Sequence, residues 1–255
     1  MGALSFLYGA VSYLAFLVSF TYAIGFVGNV LVPKGIDTLP YGSLPEALLV
    51  DVLLLGVFAV QHSVMARKGF KQWWTRIVPQ TIERSTYVLA SSVALGLLLW
   101  KWQPIDGSLW SVQQPAARLA LQALFWLGWV IALSSTFMIN HFDLFGLRQV
   151  WRNLLGQPQD GLRFTTPGPY KLVRHPLYVG WLFAFWMTPV MTAAHLLFSI
   201  ATTAYILLAI KFEERDLVRE HGETYEKYRQ SVPMLIPSLS KRDSKQSATV
   251  IEAAD

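Results

Sequence analysis

A chain of 255 residues in which 53% are hydrophobic and only 15% are charged has too little polar surface for an ordinary soluble domain. Its 21 Lys and Arg against 16 Asp and Glu give a net charge of +5, but the basic residues fall between apolar runs rather than along one face, which argues against a nucleic-acid surface. With no cysteine there can be no disulfide, thiolate metal site or cysteine nucleophile, and no metal is expected.

The first apolar run, about Leu4 to Leu31, holds no charged side chain. It is too long for the core of a signal peptide and lacks a basic lead-in, so it predicts a retained membrane helix. Pro33, Lys34, Gly35, Asp37 and Pro40 mark a loop. A second helix is expected from Pro45 to Met65, with Asp51 within two turns of its start and expected to reach the interface. The next segment sets Arg67, Lys68, Lys71, Arg76 and Arg84 against Glu83, with Trp73 and Trp74 as interface anchors, and therefore reads as cytoplasmic.

A third helix runs from about Tyr87 to Trp100, extended by Lys101 and Trp102, and the charge-poor loop to Pro115 reads as external. The fourth, about Ala117 to Ile139, ends at Asn140, His141 and Asp143. The long polar segment that follows carries Arg148, Arg152, Arg163, Lys171 and Arg174 against Asp143 and Asp160, again cytoplasmic. Leu177 to Thr192 and Ala194 to Lys211 form the last apolar pair, a tight hairpin. Phe212 to Arg229 is a charged amphipathic helix interrupted at Gly222, and the polar stretch from Ser238 onward reads as a disordered tail.

The expected fold is thus an all-α integral membrane protein of about six transmembrane helices, with both termini cytoplasmic and no strand signal of weight. Residues 1–237 form one membrane-embedded domain, comprising N-terminal helices over 1–139 and a core over 140–237, with a tail over 238–255.

Polar chemistry is concentrated from Thr165 to Gly180, TTPGPYKLVRHPLYVG. Pro167, Gly168 and Pro169 keep a helix from starting early, whereas Pro176 suits a first helical turn, where its missing amide costs nothing. Arg174 and His175 then stand at the positive end of a helix dipole, where an anion such as a carboxylate is favoured. The plainer alternative makes Lys171 and Arg174 topological anchors and His175 a satisfied interfacial histidine. Glu213 and Glu214 directly follow the last apolar run, so at least one of them can face the same cytoplasmic mouth; the alternative is a solvated helix turn.

The two stretches together carry Gly168, Tyr170, Arg174, His175, Pro176, Tyr178 and Gly180, then Glu213, Glu214, Gly222, Tyr225, Tyr228, Val232, Pro233 and Pro237. This two-part pattern resembles the isoprenylcysteine carboxyl methyltransferase and phospholipid methyltransferase superfamily of membrane enzymes. The chain departs from it in having Pro169 between Gly168 and Tyr170, and Met234 where many relatives have an arginine. Upstream, QHSVMARKGFKQWWTRIVPQTIERSTYVLASS and STFMINHFDLFGLRQVW look like the bacterial methanethiol S-methyltransferases.

The resemblance implies S-adenosylmethionine as methyl donor, a small thiol as substrate, dimethyl sulfide as product and the bacterial inner membrane as location, with the lipid bilayer but no obligatory protein partner. It implies cofactor binding by Tyr170, Arg174, His175, Tyr178, Glu213 and Glu214. A thiol with a pKa of roughly 8.5 or more must lose its proton, for which His141, His62 and His175 are candidates, working with a tyrosine such as Tyr170. Tyr170, Tyr178 or Trp181 can face a sulfonium. Two rival readings stay open: a lipid or prenyl-cysteine carboxylate methyltransferase, and a haem-binding or transport protein using histidines such as His195, with Asp51 as an intramembrane charge.

Overall fold

The computed structural model describes residues 2–39, 42–159 and 165–238. Asp160, Arg163 and residues 239–255 of the expected tail lie outside the described residues.

Helices dominate, and in chain order they are α1 (Gly2–Gly28), α2 (Leu44–Ala66), α3 (Lys68–Trp74), α4 (Gln80–Lys101), α5 (Pro115–Ile139), α6 (His141–Leu144), α7 (Leu147–Leu154), α8 (Pro176–Trp186), α9 (Ala193–His221) and α10 (Glu223–Ser231). Two short strands, β1 (Ser108–Ser111) and β2 (Val190–Thr192), pair antiparallel. The protein is an all-α membrane protein in which α1, α2, α4, α5 and α9 are each long and apolar enough to cross a bilayer. Large apolar side chains face outward along them, as in the row Leu4, Leu7, Val11, Leu14 and Val18 on α1 and the row Leu49, Val52, Leu53, Val57 and Val60 on α2. That exposure suits a helix packed on one side and wetted by lipid on the other.

The sixth apolar helix, α8, has 11 residues, about 16 Å at the helical rise. It stops before Pro189, which pushes Thr188 out of helical geometry. The chain then continues as β2, and the loop between α4 and α5 satisfies its backbone: Val112 N–H donates to Pro189 O at 2.9 Å and Ala193 N–H to Gly107 O at 2.9 Å. The expectation of no strand is corrected here. Non-helical backbone at the membrane's edge requires protein partners, and β1 supplies them. Met191 is fully buried under this cap, beside a core in which Trp102 donates to Ile36 O at 3.2 Å.

Asp51 turns into the protein rather than outward. It is fully buried and accepts the backbone N–H of Gln103, just beyond α4, at 2.8 Å. The loops at this end are tied further by Asn29 to Asp37 at 2.8 Å, by the Thr192 hydroxyl to Asp37 and by Lys34 to Trp100 O at 2.7 Å. At the opposite end, Gly2 lies against Leu154, Arg67 pairs with Asp216 at 3.0 Å and Lys68 with Glu220 at 3.2 Å. Both described ends of the chain therefore sit at the end of the bundle that carries the basic segments.

The helix expected to end at Lys211 runs on without a break to His221. Charge after Lys211 ends the apolar run but not the helix, which stops only where Gly222 takes φ +54°. Next to it, α8 crosses α5 through glycines. A methyl at Gly180 would lie 2.5 Å from Ala132 N and 2.7 Å from Gly128 O, and one at Gly128 would lie 2.5 Å from Ala184 N. Small residues let the two backbones touch. Gly180→Val is expected to cost at least the ~1–3 kcal/mol of core overpacking, read as a lower thermal midpoint in detergent. Gly96→Val on α4, where nothing lies within 4 Å, serves as the control.

Candidate active site

The start of α8 is held in place by the chain end. In the loop before it, Gly168 takes φ +51° and opens a single 3-10 turn, Gly168–Lys171, that buries Tyr170. His175 caps α8, and Pro176 takes the first helical position. The N–H groups of Arg174 and His175 donate to Pro233 O at 2.8 Å and Met234 O at 3.2 Å, so the segment after α10 runs alongside the loop. Met234 contributes through its backbone, which any residue type can do.

The Arg174 side chain completes the latch. Its Nε donates to Glu214 Oε1 at 2.7 Å, and its Nη1 donates to Val232 O at 2.6 Å and Arg229 O at 3.0 Å. The imidazole of His175 is buried, and its Nε2 donates to the same Glu214 oxygen at 3.1 Å. A carboxylate only accepts, so that nitrogen carries the proton. Beside them, Tyr178 O–H donates to Glu213 Oε2 at 3.0 Å. The two glutamates differ in exposure: the side chain of Glu214 is 14% exposed, like that of Arg174 at 11%, whereas that of Glu213 is 45% exposed. Glu214 is thus committed to protein partners, while Glu213 stays half exposed and accepts from the partly buried Tyr178 phenol.

Tyr170 turns the other way. Its O–H donates to Ser135 O on α5 at 3.4 Å, and its carbonyl accepts from Tyr228 O–H at 2.6 Å. Burial pushes its phenol above the ordinary range, so it remains protonated. Tyr225 and Tyr228 are buried with Val232 in a small cluster under α10.

His141 opens α6, two residues beyond the end of α5, in an aromatic nest. Its ring stacks on Phe137 at 4.0 Å and 2°, with Phe145 at 4.7 Å and Phe16 at 6.4 Å. Its Nδ1 meets Thr136 Oγ1 at 2.8 Å and its Nε2 meets Tyr13 O–H at 2.7 Å. Burial lowers its pKa below the ordinary 6.5, so it is neutral at neutral pH. The third histidine, His62, stacks on Phe58 and bonds Tyr87 O–H at 2.9 Å and Ser91 Oγ at 3.2 Å.

These groups are connected. Arg84 lies over the Tyr87 ring at 5.0 Å and donates to Leu144 O at 2.8 Å, linking the His62 side to the His141 side. Tyr87 and Tyr205 lie within electrostatic reach of Tyr178. Tyr170 and His141 rest on the adjacent residues Ser135 and Thr136 of α5. Of the residues expected to act together, Arg174, His175, Tyr178, Glu213 and Glu214 therefore converge, while His141 and His62 flank them in separate nests. His195 is buried at the end of the bundle that carries β1 and β2, on Phe185 O at 2.9 Å, away from this cluster. Tyr13, Arg84, Tyr87 and Tyr205 were not foreseen. Tyr13 is one of several polar tips in an otherwise apolar run, beside Tyr8, Ser12, Ser19 and Tyr22, and nothing local singles it out.

With this geometry in hand, the comparisons with known proteins are specific. The phospholipid methyltransferase family pattern matches residues 117–224. Methanethiol S-methyltransferase of Mycobacterium tuberculosis is 58% identical over 234 residues, 92% of this chain and 96% of its own length. Methanethiol S-methyltransferase of Crocosphaera subtropica is 56% identical over 236 residues, 92% of each chain. Nurim of Sus scrofa is 31% identical over 176 residues, 66% of each chain. No solved structure matches.

Proposed function

The chain belongs to the methanethiol S-methyltransferase family, and on that premise we propose that it methylates methanethiol to dimethyl sulfide with S-adenosylmethionine, at the end of the bundle where Arg174, His175 and Glu214 meet. The observation that carries this reading is the pairing of the two motif halves, 40 residues apart in sequence, through Glu214. We place that end on the cytoplasmic side of the bacterial inner membrane, because the basic segments gather there. Residues 1–237 act as one catalytic domain, since α1 supplies a partner for His141 and α4 a partner for His62.

The residues present fit a sulfonium-bearing cofactor. A half-exposed carboxylate, Glu213, with the Tyr178 phenol on it, can take the cofactor's amino group or ribose hydroxyls. Tyr178 and Trp181, one turn apart on α8, offer aromatic faces to a cation without attacking it. Arg174 is an anchor for α10 rather than an open clamp. His175 hardens that anchor, and Tyr170 locks the loop to α5. When bound, the cofactor supplies an electrophilic methyl group. What the protein must add is the removal of a thiol proton, a task the neutral, buried His141 suits. The surrounding phenylalanines exclude water, which favours a reaction in which thiolate and sulfonium charges cancel.

Calorimetry of S-adenosylmethionine binding tests the site. Glu213→Gln is expected to weaken binding about tenfold or more, the loss of one charge-assisted hydrogen bond, while leaving the thermal midpoint of the protein unchanged. Unchanged affinity would move the cofactor elsewhere.

A further inference from the structure

The hydrogen bonds around His141 determine which of its nitrogens is basic, and they place another residue in front of it. Thr136 O–H donates to Leu133 O at 2.7 Å, so its oxygen is left to accept from His141 Nδ1–H at 2.8 Å. The lone pair of the imidazole is therefore on Nε2, and Tyr13 O–H already points at it from 2.7 Å. The ring cannot turn away, because Phe137 covers one face in parallel stacking and Phe145 stacks on Phe16 at 3.8 Å beside it. A substrate proton has no direct approach to Nε2; the approach passes through the Tyr13 oxygen.

Tyr13 also stands on the right side of the molecule. From its neighbour Phe16, aromatic contacts run to Phe20 at 5.5 Å and on to Trp181 at 5.9 Å, on the helix that carries Tyr178. On the other flank, His141 and Tyr170 share consecutive residues of α5.

We propose that Tyr13 is a catalytic proton relay that takes the proton of the substrate thiol as it hands its own proton to His141. This rests on the function proposed above. In the step, the thiol S–H bond breaks and its proton passes to Tyr13 Oη, while the Tyr13 O–H proton moves to His141 Nε2. The thiol sulfur forms a bond to the methyl carbon, and the carbon–sulfonium bond breaks, its electron pair returning to the cofactor sulfur. A neutral thiol, a sulfonium and a neutral imidazole become a neutral sulfide, a neutral thioether and an imidazolium, so charge and atoms balance. Tyr13 ends as it began, a phenol.

The test separates proton removal from methyl transfer by comparing two nucleophiles. Purified full-length protein is given S-adenosylmethionine with either methanethiol, protonated at neutral pH, or methaneselenol, ionised at neutral pH, and the volatile products are measured by headspace gas chromatography. Tyr13→Phe is expected to lower dimethyl sulfide formation about 10²-fold, as loss of a proton-transfer group does, and to leave dimethyl selenide formation near the wild-type level. Thr136→Val, which removes the acceptor that holds Nδ1–H, is expected to slow the thiol reaction selectively too. Equal loss with both nucleophiles in Tyr13→Phe would make Tyr13 a packing residue and overturn the relay. So would undiminished thiol methylation. If the wild-type protein makes neither product, the functional reading falls, and the relay with it.

Discussion

Replacing Arg174 with alanine is expected to destabilise the protein by about 3–5 kcal/mol, the cost of leaving a buried carboxylate without its cation, and to abolish activity. Three contacts are lost together, to Glu214, Arg229 O and Val232 O, at 2.7, 3.0 and 2.6 Å. They are the side-chain part of the latch that holds the segment after α10 against the start of α8. The loss should appear as a lower thermal midpoint in detergent, with earlier proteolysis near Val232. Arg174→Lys should restore charge but not the fork that reaches two carbonyls, and so rescue only part of the midpoint. In Arg174→Ala/Glu214→Gln the penalty should be smaller than the sum of the two single changes, because the charge left behind is gone. Were Arg174 an open clamp for the cofactor alone, the midpoint would not move.

The second large effect is expected at His141. His141→Gln should lower dimethyl sulfide formation by about 10²–10⁴-fold, the range for a positioned base, with the affinity for S-adenosylmethionine unchanged. The sign of the pH dependence follows from burial. Because His141 titrates below the ordinary 6.5, the neutral, proton-accepting form predominates through neutral pH. At saturating thiol the wild-type rate should hold level as pH falls toward 6.5 and decline only below it, when the imidazole is protonated. The groups facing the ring are Tyr13 from α1 and Thr136 from α5, and Arg84 from α4 binds the backbone at Leu144. None of them is an anion that would raise the value. A rate that falls already above pH 6.5 would point to a different base.

Much of this arrangement could be read in the sequence because its chemistry is written locally. Pro176 after an Arg-His pair, and two glutamates directly after an apolar run, mark polar groups at a helix end whatever the tertiary structure. What escaped is what depends on distant partners. Asp51 finds its backbone partner at Gln103, 52 residues away, which nothing local in the sequence identifies. The strands β1 and β2, four and three residues long, are too short for an alternating pattern and exist because each satisfies the other's backbone. The shortness of α8 was hidden by continuous hydrophobicity through Met187 and Val190, with only Pro189 marking the stop. Conversely, α9 looked interrupted at Lys211 because apolar character ends there, although no helix breaker occurs before Gly222. Tyr13 and Thr136 are ordinary residues in apolar runs, and only the fold brings them to opposite nitrogens of one imidazole.

The proposed reaction moves a methyl group from S-adenosylmethionine to a thiol at the Glu213 end of the bundle. The most direct test gives purified protein methanethiol and S-adenosylmethionine deuterated in its methyl group, then follows the headspace by gas chromatography and mass spectrometry, with Glu213→Gln in parallel. Dimethyl sulfide carrying one deuterated methyl, formed by the wild-type protein and strongly slowed at limiting cofactor in Glu213→Gln, is the predicted result. Unlabelled dimethyl sulfide, or none from protein that binds the cofactor and is saturated with thiol, would contradict it.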